Sequence, residues 1–307
     1  MPQNILVIKL SALGDFLVAV SSMQAIRQHH PEANITLLTT KPFVELAKRS
    51  GIFNHVVVDS RPRFGQLTEW LAVREILNSG NYSRVYDLQL NTRTKIYYRL
   101  FKNRPEWVGV ITGASHCFSK KDWRNMHAYE RHVAMLGEAG IVVRPPDLSW
   151  MRNDDFAAMP DGRFVMLIPG CAPSHPEKRW PSSRYASLAQ TLEGQGIRSV
   201  VVGTAADKGA IDDIVKICPG VIDLCGKTTL FDLYTLASRA SGAVGNDTGP
   251  THLIAMAGCP TVAVFSGTTS PDLSRPVGDK VEVVQSGDLA ALQPQDVMLR
   301  LSKISNL

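Results

Sequence analysis

At 307 residues, 44% of them hydrophobic and 20% charged, the chain is long enough to bury two ordinary cores, so two domains of about 150 residues are expected. Its apolar runs, such as residues 5–8 and 200–202, fall far short of the roughly 20 needed to cross a bilayer. With no charged leader ahead of a long apolar core, a cytoplasmic protein is expected rather than an exported or membrane-spanning one. The net charge of +5 is uneven, +7 over residues 1–150 and −2 over residues 151–307, so the first half is the one expected to face something anionic.

In chain order, the first half alternates apolar strands with helices: strand 5–9, helix 16–29, strand 35–39, helix 43–49 and strand 55–58, with further strands near 85–88 and 107–110. That βαβ alternation predicts a parallel sheet. Between the last two strands, Arg93, Lys95, Arg99, Lys102 and Arg104 lie among Ile96, Tyr97, Tyr98, Leu100 and Phe101, a basic amphipathic pattern. It suits a membrane surface or an acidic substrate, and a solvated helix face with snorkelling stems equally well. Pro145-Pro146 and the polar run 152–155 interrupt the pattern, placing a linker there and domains at 1–155 and 156–307. The second half repeats the alternation, with strands near 164–168, 199–202, 242–244 and 261–265 and helices near 183–192, 207–217 and 230–238. A closing helix over 289–301 can pack on either domain. The expected fold is α/β: two Rossmann-like domains with parallel sheets, facing each other across a cleft.

Five cysteines, Cys117, Cys171, Cys218, Cys225 and Cys259, are odd in number and form no C-x-x-C pair, which suits reduced thiols and argues against structural zinc. A dinucleotide oxidoreductase would need a Gly-x-Gly-x-x-Gly turn between strand and helix. The close pair Gly194-Gln195-Gly196 follows a helix and precedes a strand, the reverse context, and no Walker motif is present. No metal, cofactor or nucleic-acid partner is expected.

The most informative stretch is Gly245-Asn246-Asp247-Thr248-Gly249-Pro250-Thr251-His252, which follows an apolar run and opens an apolar helix from residue 253 to 257. An acid, a hydroxyl, a glycine and a proline at such a turn make a helix start whose free amides and dipole can hold a diphosphate. An ordinary helix capped by Asp247 or Thr248 is the alternative. Asp15, closing Lys9-Leu10-Ser11-Ala12-Leu13-Gly14, sits at the carboxyl end of the first strand, where open α/β sheets bind ligands. It is the candidate general base, with an acid favouring the helix dipole as the alternative. The loop Ile168-Pro169-Gly170-Cys171-Ala172-Pro173-Ser174-His175-Pro176-Glu177-Lys178-Arg179-Trp180-Pro181 opens the second domain, and its Lys178 can neutralise a leaving diphosphate.

These segments, with Gly258-x-Pro260-Thr261, run in order over nearly the whole chain and resemble glycosyltransferase family 9, the lipopolysaccharide heptosyltransferases. The resemblance implies a GT-B fold with the acceptor on the first domain and the nucleotide-sugar on the second. It implies inverting, metal-independent transfer, typically of heptose from ADP-heptose to an anionic lipopolysaccharide-core acceptor at the inner membrane face. By position, Asp15 matches the family's catalytic base, Lys178 its diphosphate-contacting lysine, and Thr248 and Gly249 its phosphate-binding helix start. Asp247 matches the acid on the donor sugar's hydroxyls, and His252, one turn further on, supports the site or serves as a core or capping histidine. Asp207 stands where the family binds the ribose with a glutamate, and otherwise caps its helix. Thr228, in the loop 226–230, matches the loop cupping the base, and Ser174 completes the donor set. Arg61, Arg63, Lys120, Lys121 and Arg124 are the candidate acceptor contacts.

The chain departs from the best-known members after Phe265, where Ser266-Gly267-Thr268-Thr269-Ser270-Pro271 replaces the Gly-x-Thr-Asp-Pro turn, so another nucleotide-sugar is an alternative donor. A non-catalytic sugar-nucleotide-binding protein is the alternative outside catalysis, and it predicts loss of Asp15 or Lys178. A GT-B epimerase or phosphorylase would want different acids.

Overall fold

The computed structural model describes residues 2–307. The chain divides into two compact units, one ending at Trp150 and the other Met151–Leu307. The first follows β1 (Asn4–Ile8), α1 (Leu13–His29), β2 (Asn34–Thr39), α2 (Val44–Arg49), β3 (His55–Val58), α3 (Leu67–Ser79), β4 (Arg84–Asp87), α4 (Thr92–Leu100), β5 (Glu106–Gly109), β6 (His116–Cys117) and α5 (Ala128–Glu138). Among the described residues its strands form a six-stranded sheet in the order β3-β2-β1-β4-β5-β6, every neighbouring pair parallel.

The central strand β1 is a continuous apolar run because helices cover both faces of the sheet and Ile5, Leu6, Val7 and Ile8 all lose contact with water. The order reverses at β1, and this puts the loop after Ile8, with Asp15, at the switch point where such sheets bind ligands. Helices α3 and α4 pack together on one face through Leu6, Ile8, Val73, Leu77, Val85, Tyr97 and Tyr98. The first part of the stretch read as a basic amphipathic pattern is a sheet-covering helix, capped by Asn91, whose side chain accepts from the amides of Arg93 (3.0 Å) and Thr94 (3.3 Å). Lys95 and Arg99 occupy its exposed side, while Arg93 is half-buried against Pro62 and Tyr97.

The second unit follows β7 (Phe164–Ile168), α6 (Ser182–Glu193), β8 (Arg198–Val201), α7 (Lys208–Ile217), β9 (Ile222–Asp223), α8 (Leu230–Ala237), β10 (Gly242–Asn246), α9 (Gly249–Met256), β11 (Thr261–Ser266), α10 (Pro271–Ser274), β12 (Val281–Ser286) and α11 (Pro294–Ile304). Its parallel sheet has the order β12-β11-β10-β7-β8-β9. The closing helix starts at Pro294, not residue 289, because Pro294 takes the first helical position, which needs no amide donor. It packs on the second sheet, where Leu289, Leu292, Val297 and Leu301 join the core around Trp180 and Val244.

Two glycines of this unit are required by close approach. A side chain on Gly245 would strike Thr251 and Ile168, and one on Gly170 would lie 2.7 Å from the Asp207 carboxylate. At the carboxyl ends of β7 and β10 the backbone therefore passes close against the side chains of Asp207, Thr251 and Ile168.

Candidate active site

In the second unit, α9 begins four residues earlier than the apolar pattern implied, so the turn at Thr248-Gly249-Pro250 is itself the first turn of the helix. Thr248 holds the N-cap position, but no side chain caps the turn: the Thr248 hydroxyl bonds instead to the Asn246 carbonyl (3.4 Å) and the Thr251 hydroxyl (3.3 Å). The capped-helix alternative does not hold for Thr248, and the first-turn amides stay available.

Beside this turn Lys178 Nζ donates to Asp247 Oδ2 at 2.7 Å, with side-chain exposures of 17% and 7%. His252 Nε2 stands 3.9 Å from Asp247 Oδ1, beyond hydrogen-bond reach but close enough for charge attraction, and its Nδ1 is buried without a partner. Burial opposes ionisation of Asp247, yet His252 and Lys178 outweigh it and hold the carboxyl below its usual range. A buried, ionised carboxylate with a lysine across it and helix amides alongside can exchange its partners for a phosphate and sugar hydroxyls.

The lysine reaches that point because Asn246, wholly buried, ties its loop to the turn. Its Nδ2 donates to the carbonyls of Pro169 (2.8 Å) and Gly170 (3.3 Å), and its Oδ1 accepts from Trp180 N (3.1 Å) and the Tyr185 hydroxyl (3.0 Å). Sequence reasoning quoted Asn246 within its motif without a role; a buried amide flanked by a glycine and an acid was the available signal. It also missed Thr269, in the divergent loop after β11, whose hydroxyl donates to Asp247 Oδ2 at 3.2 Å.

The remaining donor candidates are less tightly gathered. Asp207 is buried beside Gly170, but its Oδ2 accepts from the amide and hydroxyl of Thr204, both at 2.9 Å, so it caps its own turn. Thr228 is half-buried before α8, whose cap is Thr229, and Ser174 is exposed on the 169–181 loop.

In the first unit, Asp15 is exposed in the first turn of α1, and its Oδ2 accepts the Ala12 amide at 3.2 Å. Gln89 holds the preceding loop, its Oε1 receiving the amides of Leu10 (2.8 Å) and Ser11 (3.2 Å). Behind it lies a buried charged cluster. Lys9 Nζ and His132 Nε2 both meet the Leu88 carbonyl at 3.1 Å. Burial lowers the Lys9 pKa, against the attraction of Asp15 and Asp87, and burial likewise lowers that of Arg131, again against Asp15. The candidate base therefore sits in a field of two cations that the sequence reading had not assigned to it.

Of the acceptor candidates, Arg61 approaches this loop, with Nη1 3.4 Å from Ser11 Oγ. Arg63 is exposed at the foot of α3, Arg124 stacks on Trp123 at 4.5 Å, and Lys120 and Lys121 stand exposed after β6. Among the described residues no group of three or more His, Cys, Asp or Glu is placed to hold a metal ion.

The family model for glycosyltransferase family 9 (heptosyltransferase) matches residues 148–303, which is half of the chain and includes Lys178 and the Asp247 turn. The chain belongs to glycosyltransferase family 9. This family 9 glycosyltransferase is 24% identical over 324 residues to a lipooligosaccharide heptosyltransferase 2 of Haemophilus influenzae, covering 95% of this chain and 92% of that one. In structure it is similar to the ADP-heptose lipopolysaccharide heptosyltransferase II of Escherichia coli, with a TM-score of 0.78, 22% identity and 98% of each chain covered. It is also similar to an Escherichia coli heptosyltransferase solved with ADP, at a TM-score of 0.77 and 19% identity, covering 99% of this chain and 100% of that one. The α/β architecture of two parallel six-stranded sheets is thus that of GT-B-like enzymes.

Proposed function

We propose that this glycosyltransferase moves a heptose from ADP-heptose to an anionic, lipid-linked saccharide of the lipopolysaccharide core, inverting the anomeric centre and using no metal. The observation that carries the reading is the Lys178–Asp247 pair at the uncapped start of α9. The relatives' names supply the donor and acceptor classes.

In this reading the first unit binds the acceptor and the second the donor. Asp15 takes the proton of an acceptor hydroxyl as that oxygen attacks the anomeric carbon, and the bond from that carbon to the nucleoside diphosphate breaks on the opposite face. The charge that develops on the departing diphosphate falls on Lys178 and the Thr248 and Gly249 amides, preorganised donors at a half-buried turn. Asp247 receives the sugar's hydroxyls, with His252 supporting it. Asp207 offers its free Oδ1 to the ribose, while Thr228 and Ser174 border the nucleoside. Arg61, Arg63, Lys120, Lys121 and Arg124 supply cations for acceptor phosphates or carboxylates. The lipid-linked acceptor brings the enzyme to the inner membrane surface, and no helix of the described residues is long and apolar enough to cross it.

The Thr269 contact on Asp247 favours one variation, a donor other than ADP-heptose, because it puts the divergent loop against the sugar-binding acid. Calorimetric titration with ADP, UDP and GDP in the presence of EDTA tests both. Selective binding of ADP is the expected result. Preference for UDP or GDP overturns the donor, and no binding of any nucleotide overturns the nucleotide-sugar transfer itself.

A further inference from the structure

Helices α3 and α4 cover the same face of the first sheet through one apolar cluster, so their outer sides share one surface. On α3 that surface is apolar where it should be polar. Leu67 is 74% exposed and Leu71, one turn on, 61%, while Phe64, one turn before, is fully exposed. Val73 and Leu77, on the inner side, are already buried, so the outer row contributes nothing to the core.

The row is also held in place. Gln66 N donates to the Arg63 carbonyl at 3.1 Å, Gln66 Oε1 accepts the Arg63 amide at 2.6 Å, and Trp70 Nε1 donates to the Arg63 carbonyl at 3.1 Å. The Arg93 guanidinium lies over the Trp70 ring at 5.5 Å and ties the segment to α4.

The neighbouring surface is basic. Lys95, Arg99 and Arg104 line a cavity of about 350 Å³ with Tyr98, Thr112 and Gly113, and no acid lines it. Arg104 lies over the Tyr98 ring at 5.1 Å, and among the described residues none of the three cations has an ion pair. Lys102 and Arg74 line a second cavity along α3 together with Leu71, and Glu75 is the acid there.

We propose that the outer surface of α3 and α4 docks on an anionic lipid bilayer, with Phe64, Leu67 and Leu71 entering the headgroup–acyl boundary and Lys95, Arg99 and Arg104 taking lipid phosphates. An apolar row on one helix and unpaired cations on its neighbour, covering the same sheet face, are the composition of an interfacial surface. A second copy of the chain fits poorly, because its own cations would meet these. The proposal rests on the reading of a lipid-linked acceptor only for its biological sense; the surface itself is independent of the nucleotide site.

The test is cosedimentation of the full chain with vesicles of phosphatidylglycerol and phosphatidylethanolamine, and with phosphatidylcholine vesicles as the neutral reference. The native chain is expected to bind the anionic vesicles and to release only in part at high salt, the apolar row holding the remainder. Each basic residue near an anionic surface is worth roughly fivefold in partition, so Lys95→Gln with Arg99→Gln is expected to lower binding about 25-fold. Leu67→Ser with Leu71→Ser, both at exposed positions where the fold is not at stake, is expected to leave only salt-sensitive binding. Both double variants are expected to keep native ADP affinity and native turnover on a delipidated acceptor. A native chain that ignores anionic vesicles overturns the proposal, as do variants that bind like the native chain, or a dimer that depends on Leu67 and Leu71. Vesicle binding without ADP binding defeats the proposed function and leaves this surface standing; the reverse result does the opposite.

Discussion

Asp15 and Lys178 carry opposite halves of the proposed reaction, and their surroundings predict different defects. Asp15 is exposed and hydrogen-bonded only to the Ala12 amide, so Asp15→Ala removes that bond and the negative charge that faces Lys9 and Arg131. Turnover is expected to fall by on the order of a hundred- to ten-thousand-fold with ADP affinity unchanged, because a general base acts on the transition state and not on donor binding. Near-native turnover by that variant removes Asp15 from the chemistry. Lys178→Ala leaves the buried Asp247 carboxylate without its ammonium partner. We expect weaker ADP binding by calorimetry, slower turnover and a lower thermal midpoint even without nucleotide. An unchanged ADP affinity would place the diphosphate elsewhere.

At the scale of elements, the donor side depends on two strand ends meeting. Asn246 closes β10 and through three hydrogen bonds, to Pro169, Gly170 and Trp180, fixes the 169–181 loop that carries Lys178, while a fourth ties it to Tyr185 of α6. Asn246→Ala is expected to cost on the order of 3 kcal/mol in urea unfolding, since several buried partners lose their bonds at once, and to weaken ADP binding although Asn246 itself is wholly buried. A variant with native urea midpoint and native ADP affinity would show that the loop holds without this clamp. The strand–helix alternation around these ends was legible from periodicity alone, and so were the motifs, because a Gly-Pro turn and a Pro-started helix are local signals. The clamp was not, because Asn246 and Pro169 are 77 residues apart and only strand pairing makes them neighbours. Helix α3 and strand β12 escaped the reading for a related reason. The exposed Leu67 and Leu71 blur the helical period of α3, and β12 is a half-buried edge strand without a continuous apolar run.

Across the molecule, the two units are expected to answer to different conditions. ADP, binding only the second, should raise the melting transition of that unit by mass action and leave the other in place, and calorimetric scans with and without ADP read this directly. Acid should act on the first. Burial, then the charges of Lys9 and Arg131, pushes His132 down to about 3, so below pH 6.5 the unfolded chain takes a proton that the folded ring refuses. Stability on this account falls as pH drops from 6.5 toward 3, and His30, pushed by burial to about 4, adds the same sign from a more exposed place. Asp87 acts oppositely: burial raises it to about 6, so the folded state keeps a proton the unfolded chain has lost, and stability recovers as pH falls from 6 to 4. Urea midpoints between pH 7 and 4 should therefore fall less in His132→Gln and more steeply in Asp87→Asn. Parallel profiles for all three proteins would show that this cluster does not govern acid stability.

What the sequence by itself determined is whatever depends on neighbours in the chain: the α/β alternation, the Asp15 loop, and the Asp247-Thr248-Gly249 helix start. Period, turn chemistry and helix-start preference act over a few residues, and so they can be read without a fold. Only the tertiary structure decided that Lys178 pairs with Asp247, that Thr269 joins them, that Lys9 and Arg131 surround Asp15, and that Asp207 caps its own turn. It also decided that the basic pattern of α4 becomes a sheet-covering helix whose cations share a surface with an exposed apolar row. Contacts between distant residues follow from which strands lie side by side and which helix faces the sheet must bury, and no local pattern contains that choice.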